Sequence, residues 1–512
     1  MQCERIEMSE TISGGHNDVT ADQGRRRPSL LEALIPIIAL AVFIGGGYLA
    51  FDMPVEPMII LSAVVAALIA RRLGYSWDEM MQSVSWKMAK AWPALLILLM
   101  VGFLIGAWMA GGSIPLMIYW GLKIIDPQYL AFIALIVTAI VSVCTGTSWG
   151  SAGTIGVAFM GVAIGMEANL PMVAGAVVAG AYFGDKMSPL SDTTNLASMI
   201  TRVDIFAHIK NMLWTSGPAF VIALVVYLII GLTNDTNAAI PDKVNVMLSQ
   251  LEAAFNLNLI AIVPVLVVIV GAAMRFPTIP VMFVSSVLAV VNALIFQHQT
   301  LQTTIQSILN GFTLDKITRP EWGSIEPLAD MSRLLERGGM NSMLGTLLIC
   351  FCAIFFAGIM AISGSLETIT ERVLGNVKSR LGLVASTIGI CLGTTGVTSN
   401  GQISIIMPGE VLRPAYIRRG LAPKVLSRTL EDSVSVTECL LPWTAAGAYM
   451  AGTLGVATLE YLPWAIFNWS GMIVALVLAA TGIGITYLTR TEQVAMLADE
   501  GLTENHIIVA GK

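Results

Sequence analysis

The chain has 512 residues, of which 55% are hydrophobic and only 12% are charged, and its mean hydropathy is +0.77. Most of such a chain cannot be solvated, so the composition excludes a soluble globular protein and is typical of a membrane protein. The formal net charge of −6 is spread along the chain without a basic stripe, which excludes nucleic acid as a partner.

Apolar runs follow one another along the chain. A helix that crosses a bilayer needs ~20 mainly apolar residues, and about ten to thirteen segments approach that pattern, which predicts an all-α polytopic membrane protein in contact with the lipid bilayer. The clear runs are residues 31–51, 91–110, 129–145, 214–232, 257–275, 278–296, 341–363 and 463–487. Shorter or glycine-interrupted segments are residues 57–70, 151–166, 171–184, 383–396, 402–412 and 436–458.

Polar stretches divide these runs into two membrane halves. Arg25, Arg26 and Arg27 precede the first run, which by the positive-inside rule predicts a cytoplasmic amino terminus. The longest polar insertion has room for a short amphipathic helix. The predicted organisation is a cytoplasmic polar tail (1–30), a first membrane repeat (31–232), a polar loop (233–256), a second membrane repeat (257–487) with a polar insertion (297–340), and a polar C-terminal tail (488–512).

Short segments rich in Gly, Ser and Thr form one cluster in each half. The first half has "TGTSWGSAG" and then "GDKMSPLSDTTN", and the second half has "TTGVTSNGQ" and then "EDSVSVTECLLPW". Aligning Thr147–Gly150 with Thr398–Gly401 makes Asp432 and Glu438 the counterparts of the two acids in the first half, Asp185 and Asp192. Paired helix interruptions in two halves of a membrane protein indicate a transport site, although such runs also arise by chance.

Asp185 and Asp192 are the principal candidates for chemistry. Placing an acidic side chain at the centre of a bilayer costs ~2.5–3.5 kcal/mol of insertion free energy, so an acid found there usually has a functional role. Pro189 argues against one unbroken helix between them and favours a turn or re-entrant hairpin at Ser188 and Pro189. After Asp192, the neutral oxygens of the "TTN" segment would complete an oxygen-lined site.

Carboxylate, hydroxyl and carbonyl oxygens suit a hard cation, and no His or Cys lies in the cluster to suggest zinc or copper. Burial raises the pKa of a carboxyl group, so a sodium ion and a proton can compete for the same oxygen atoms, which is already an antiport mechanism. We therefore predict Na+ binding at Asp185 and Asp192. The full set of candidates is Asp185, Ser188, Asp192, Thr193, Thr194 and Asn195 for ion binding, Thr147, Ser148 and Gly150 at the first helix break, and Thr398, Ser399, Asn400, Asp432 and Glu438 in the second repeat.

Each candidate also has a purely structural interpretation. Lys186 could pair with Asp185, and Asp192 could cap the helix that follows it. Lys424, Arg428 and Glu431 suggest that the acids of the second repeat lie at an aqueous edge. The hydroxyl groups of both breaks could simply pack helices together.

An enzymatic interpretation has little support. The segment Gly146–Gly150 has the G-x-S-x-G form of a hydrolase, but it follows an apolar run, and His208 is expected to be a solvated residue of an interfacial helix. No Walker A motif occurs, so transport would be driven by ion gradients and not by ATP. We expect neither an enzyme nor a cofactor other than the transported Na+ and H+.

Two long stretches, "TGTSWGSAGTIGVAFMGVAIG" and "AGAVVAGAYFGDKMSPLSDTTNLAS", resemble the NhaC-type sodium/proton antiporter family of the ion transporter superfamily. The resemblance implies a bacterial inner-membrane secondary transporter built from two inverted repeats, each with a discontinuous helix or hairpin at a central site. It implies exchange of Na+ for H+, for sodium extrusion and pH homeostasis. Similar proteins also include exchangers that couple these ions to malate and lactate, so a small carboxylate is the alternative substrate. The absence of arginine from both stretches favours the cation exchanger.

Overall fold

The computed structural model describes residues 25–51, 53–233, 242–274, 276–336, 338–375, 377, 379–500, 502–503 and 507. Most of the predicted amino-terminal tail lies outside the described residues. Within them the fold is all-α, and β-pairing is limited to an isolated bridge between Leu421 and Tyr487. The predicted fold class, an all-α polytopic membrane protein, is confirmed.

The helices of the first half include the first cluster of small and polar residues. A π-helical segment over Ile44–Ala50 continues the first helix, and another over Ala152–Gly156 lies inside the sixth. Their bounds are α1 Leu30–Phe43, α2 Val55–Arg72, α3 Trp77–Ala110, α4 Ser113–Ile124, α5 Leu130–Thr145, α6 Ser148–Gly165, α7 Leu170–Met187, α8 Asp192–Thr201 and α9 Ile205–Thr233.

The second half contains the polar insertion and the second cluster. The short amphipathic helix expected in the insertion is confirmed as α13, whose buried face includes Thr304, Ser307 and Ile308. The bounds are α10 Asp242–Ala254, α11 Val263–Ala273, α12 Thr278–Ile295, α13 Leu301–Asn310, α14 Ala329–Leu335, α15 Leu344–Ile362, α16 Ser365–Gly375, α17 Arg380–Thr398, α18 Gly401–Arg418, α19 Pro423–Ser433, α20 Ala445–Leu454, α21 Thr458–Tyr461, α22 Ile466–Thr481 and α23 Arg490–Asp499.

By length and composition, the described residues contain 8 helices able to cross a membrane, or up to 10 if two sharply bent pairs each count as one span. Ten is the lower end of the predicted range. The second cluster accounts for part of the difference, because the predicted segment 436–458 forms only a 3-10 turn and the ten-residue helix α20.

The chain divides into two compact units. The smaller unit comprises residues up to 90 together with 354–375, and the larger comprises 91–353 together with 376 onwards. In the smaller unit α1 packs on α2 and α16, and Ser29 and Glu32 form a capping box that begins α1. In the larger unit, α17, α18 and α19 pack together, and α8 packs on α18 and α19. This unit contains every candidate site residue.

Helices α5 and α7 lie unusually close together because α7 carries glycine where the two backbones meet. A Cβ atom added to Gly184 would lie 2.6 Å from Ser142 Cβ and would also collide with the carbonyl oxygen of Ala139. Gly180, four residues earlier and on the same face, meets α5 in the same way. This contact brings the end of α7, which carries Asp185, against the first helix break.

The backbone conformations of Gly146 and Thr147 explain the first helix break, between α5 and α6. Gly146 adopts the left-handed conformation (φ 65°, ψ 28°) that ends α5, and Thr147 is extended (φ −149°, ψ 121°). The Thr147 hydroxyl accepts a hydrogen bond from the Gly150 amide at 3.2 Å and so caps α6. Glycine tolerates the left-handed region at little cost, which explains its use at this position.

The second break repeats this geometry, shifted by one residue from the sequence alignment. Ser399 is left-handed (φ 51°, ψ 27°), and Asn400 is extended (φ −146°, ψ 115°) and caps α18 by accepting the Ile403 amide at 3.0 Å. The structural counterpart of Thr147 is therefore Asn400 and not Thr398. The paired breaks support the predicted repeats, while their inverted relation stays a prediction.

The close contact between α5 and α7 predicts a specific sensitivity to added volume. The substitution Gly184→Ala should destabilise the protein by ~1–3 kcal/mol, because neither backbone can retreat without losing packing. The measurement is thermal unfolding of the purified protein in detergent. Gly217→Ala in α9 is the control, since no atom lies within 4 Å of a Cβ added at that position. Equal melting temperatures for the two variants would contradict this account of the contact.

Candidate functional site

Asp185 lies near the end of α7, in the protein interior, and is 8% exposed. Its Oδ2 atom accepts a hydrogen bond of 2.8 Å from the Ser148 hydroxyl, in the first turn of α6. Its Oδ1 atom has no hydrogen-bond partner among the described residues. The break before α6 and the end of α7 therefore meet at one carboxyl group with a vacant oxygen.

Lys186, the next residue, does not pair with Asp185. Its ammonium group forms an ion pair with Asp432 Oδ1 of α19, and the two side chains are 1% and 0% exposed. The Thr215 hydroxyl of α9 donates to the same oxygen at 2.9 Å. The interpretation that Lys186 holds Asp185 is wrong, because adjacent residues on a helix point in different directions. Among the described residues, Asp185 is thus left without a countercharge in direct contact.

Asp192 begins α8 and is exposed. Its Oδ2 atom accepts a hydrogen bond of 2.7 Å from Gln402 Nε2 in the first turn of α18, so the starts of α8 and α18 meet here. The helix cap is Ser191, which accepts the Thr194 amide, so the interpretation of Asp192 as the cap is wrong. Asp192 acts electrostatically on Asp185, which places the two predicted acids in one region.

The polar residues around Asp192 mainly form hydrogen bonds that stabilise the segment between α7 and α8. Thr194 donates to the carbonyl of Lys186 at 3.2 Å, and Asn195 donates to the carbonyls of Pro189 and Ser191 at 2.9 and 2.6 Å. Ser188 is buried and its hydroxyl accepts the Leu190 amide, whereas Thr193 is half-buried beside Ser191. The turn expected at Ser188 and Pro189 is present.

The second-repeat hydroxyls serve the break before α18. Thr398 shares a hydrogen bond of 2.7 Å with Ser404, and the Ser399 hydroxyl accepts the Ala445 amide at 2.9 Å. Glu438 is half-buried, and a Cβ added to Gly401 would lie 2.5 Å from its Oε2 atom, so only glycine admits this carboxyl group. The Glu438 carboxyl group thus lies against Gly401, the first residue of α18.

Two sequence-based interpretations of α19 and α9 are wrong. Asp432 and Glu431 are 0% exposed and Arg428 is 1% exposed, so these residues do not mark an aqueous edge. His208 is also fully buried, and its Nδ1 atom lies 2.8 Å from the Ser427 hydroxyl. The charged residues of α19 indicated a solvent-exposed position, because a sequence does not show that other helices cover the polar face of this helix.

A cavity of about 470 Å³ reaches the first break from one side. Its polar lining includes Thr145, Thr147, Thr154, Asp192 and Asn195, and Asp192 is the only charged lining residue among the described residues. Asp185 and Ser148 are not part of the lining. The cavity lining therefore includes Asp192 but not Asp185.

Broken helices that surround buried, mutually facing charges define a membrane transporter rather than a structural bundle. A family model described as "Na+/H+ antiporter family" matches residues 180–483. The chain belongs to the Na+/H+ antiporter family, as one of its NhaC-type members.

Several curated proteins are similar over nearly their full length. A protein of Haemophilus influenzae named as an uncharacterized Na+/H+ antiporter is 54% identical over 91% of this chain and 98% of its own. A malate-2H+/Na+-lactate antiporter of Bacillus subtilis is 34% identical over 90% of this chain and 97% of its own. The Na+/H+ antiporter NhaC of Alkalihalophilus pseudofirmus is 34% identical over 89% and 95%, respectively.

The buried ion pair predicts an asymmetric response to substitution. Asp432→Asn should destabilise the protein by about 3–5 kcal/mol, because it leaves the Lys186 ammonium buried without a countercharge. Replacing both partners, in the double variant Lys186→Met with Asp432→Leu, should recover much of that loss. Thermal unfolding in detergent measures both effects. A double variant no more stable than Asp432→Asn would show that the pair is not the source of the loss.

Proposed function

We propose that the protein exchanges Na+ for H+ at a central site in which Asp185 is the principal ligand. The observation that carries this proposal is the buried Asp185 carboxyl group, which among the described residues has one oxygen without a hydrogen-bond partner and no countercharge in contact. A vacant buried carboxylate oxygen is costly unless a cation or a proton occupies it. Sodium and hydrogen ions can each meet that need, but not at the same oxygen at the same time.

The neighbouring groups suit this competition. The Ser148 hydroxyl is a neutral oxygen beside Asp185, and sodium prefers carboxylate, hydroxyl and carbonyl oxygens. Because Lys186 is paired with Asp432, its positive charge is compensated and does not repel an entering cation as strongly as a free ammonium would. Asp192, in the lining of the cavity, would attract cations and pass them towards Asp185.

The same electrostatics explains why exchange is coupled. With sodium or a proton bound, Asp185 is close to neutral, and the site can change the side to which it opens. An empty, charged Asp185 would be desolvated in any closed intermediate, at a cost of several kcal/mol, so the empty site does not cross. Each ion therefore crosses only in exchange for the other. No resident cofactor and no catalytic step is needed.

At the level of the cell, we propose a location in the bacterial inner membrane with the amino terminus in the cytoplasm. Arg25, Arg26 and Arg27 before α1 support this orientation through the positive-inside rule. In that setting, inward movement of protons would drive sodium out and would contribute to the control of cytoplasmic pH and sodium.

A sodium-coupled exchanger of small carboxylates is the second candidate, and the similarity to the malate-2H+/Na+-lactate antiporter is the observation in its favour. The cavity lining argues against it. Among the described residues the lining contains no Arg, Lys or His to attract an organic anion, and its one charge, that of Asp192, is negative. We therefore favour cation exchange.

Removing the Asp185 charge should abolish exchange. In inverted vesicles with a preformed proton gradient, added Na+ should discharge the gradient in the wild type and not in the Asp185→Asn variant, provided that both proteins reach the membrane in equal amounts. Glu410→Gln alters an exposed acid of α18 and should behave as the wild type. Full Na+-dependent discharge by Asp185→Asn would remove Asp185 from the mechanism.

Ser148→Ala should weaken sodium binding without abolishing exchange. Its hydroxyl makes a charge-assisted hydrogen bond to Asp185, and such bonds contribute ~1.5–3 kcal/mol. The half-saturating Na+ concentration should therefore rise by about tenfold or more. Ser286→Ala is the matched control, because that buried hydroxyl donates only within its own helix, to Met282. A half-saturating concentration unchanged from the wild type would contradict a role for Ser148.

The two candidate substrates are separated by adding organic acids. Na+ alone should discharge the proton gradient in vesicles, and malate or lactate should not increase the rate. An absolute requirement for either acid would overturn cation exchange in favour of the carboxylate exchanger.

A further inference from the structure

Helix α20, in the second half of the chain, lies against the first helix break. The side chain of Tyr449 is buried in α20 and stacks on the indole of Trp149, with ring centroids 4.5 Å apart and an angle of 9° between the ring planes. The Tyr449 hydroxyl donates a hydrogen bond to the main-chain carbonyl of Trp149, 300 positions away in the chain. Tyr449 is not part of the cavity lining, and the proposed mechanism gives it no role so far.

The part of α6 that Tyr449 contacts is not a regular α-helix. Residues Ala152–Gly156 form a π-helical segment, in which backbone hydrogen bonds reach one residue further than in an α-helix. Just before this segment, the carbonyl of Trp149 accepts the Tyr449 hydroxyl. The next carbonyl, that of Gly150, accepts the Thr154 hydroxyl at 2.7 Å. A side chain from a distant helix therefore takes part in the hydrogen bonding of the first turn of α6.

This contact is close, and it adjoins the residue that binds Asp185. A Cβ atom added to Gly153 would lie 2.6 Å from the Tyr449 hydroxyl oxygen, so glycine leaves room for the hydroxyl at this position. Ser148, whose hydroxyl donates to Asp185 at 2.8 Å, directly precedes Trp149. Because a planar peptide bond joins these two residues, a displacement of the Trp149 backbone also moves Ser148. The hydrogen bond from Tyr449 thus restrains the hydroxyl group that faces Asp185.

The start of α20 is bound to the second helix break. The Ser399 hydroxyl accepts the amide of Ala445, the first residue of α20, at 2.9 Å. Trp443, two residues before α20, donates from its indole to the carbonyl of Gly396 at 2.8 Å. Ala445 and Tyr449 are four residues apart, so they lie one turn apart on the same face of α20. One helical turn therefore joins the two helix breaks.

On the basis of the proposed exchange function, we propose that Tyr449 is a positioning residue for the sodium site. Its hydroxyl holds the first turn of α6 so that the Ser148 hydroxyl faces Asp185, and α20 makes this support depend on the second break. The sodium affinity at the first break is therefore set in part by Ser399. Packed side chains and hydrogen bonds of this kind are a physical means of coupling two sites.

The first test removes the Tyr449 hydroxyl and keeps the aromatic ring. In Tyr449→Phe, the half-saturating Na+ concentration for discharge of the proton gradient in inverted vesicles should rise about three- to tenfold, because one hydrogen bond is lost. The maximal rate should change little. Tyr227→Phe is the matched control, since Tyr227 is also buried and donates to a main-chain carbonyl elsewhere, that of Trp464. An unchanged half-saturating concentration in Tyr449→Phe would overturn the proposal.

A double variant separates positioning from a general loss of stability. In the Ser148→Ala background, adding Tyr449→Phe should raise the half-saturating Na+ concentration by less than about twofold, because the hydroxyl to be positioned is already absent. A purely structural effect would act equally in both backgrounds. A rise as large as that in the single variant would therefore contradict the positioning role.

The variant Ser399→Gly tests the connection through α20. Glycine accepts the left-handed backbone of Ser399 (φ 51°) without strain, so the substitution removes only the hydroxyl contact. The half-saturating Na+ concentration should rise, and combining Ser399→Gly with Tyr449→Phe should raise it by less than the product of the separate effects. A wild-type concentration in Ser399→Gly would overturn the connection. A wild-type protein without Na+-dependent discharge would instead overturn the exchange function itself.

Discussion

The ion pair between Lys186 and Asp432 is the interaction on which the rest of the site depends. It joins α7 to α19, two helices that are 246 positions apart at this contact, and both partners are withdrawn from water. Because removing either partner would leave the other charge buried alone, the pair fixes how the two helices meet. It also compensates the ammonium group of Lys186, the neighbour of Asp185 in the chain, so that Asp185 has no ion-pair partner among the described residues.

The broken helices provide the second condition for exchange in the proposed mechanism. Gly146 and Ser399 take the left-handed conformation at equivalent points, but only Gly146 does so without strain. A left-handed non-glycine residue costs of order 1–3 kcal/mol and persists only where its surroundings hold it. For Ser399 the restraint is its hydroxyl group, which binds the start of α20 through the Ala445 amide. The second break is therefore secured by a tertiary contact with the start of α20.

The two acids of the first repeat, Asp192 and Asp185, lie in different environments. Asp192 is exposed and lines the cavity, whereas Asp185 is buried and is not part of the lining. In the proposed mechanism, a cation therefore approaches the charge of Asp192 before it loses water to bind Asp185. The membership of the chain in the Na+/H+ antiporter family agrees with a site in which a buried carboxylate oxygen of Asp185 has no hydrogen-bond partner among the described residues.

The sequence by itself determined the membrane class, the family, the two helix breaks and the importance of the region around Asp185. Hydropathy and the Gly- and Pro-containing segments depend on local composition, which a sequence displays directly. Only the tertiary structure decided which acid pairs with Lys186, that His208 and Glu431 are buried, and that Asn400 rather than Thr398 corresponds to Thr147. Charges in α19 look solvated in a sequence, because burial of a polar face depends on helices such as α7, α8 and α9 that lie far away in the chain.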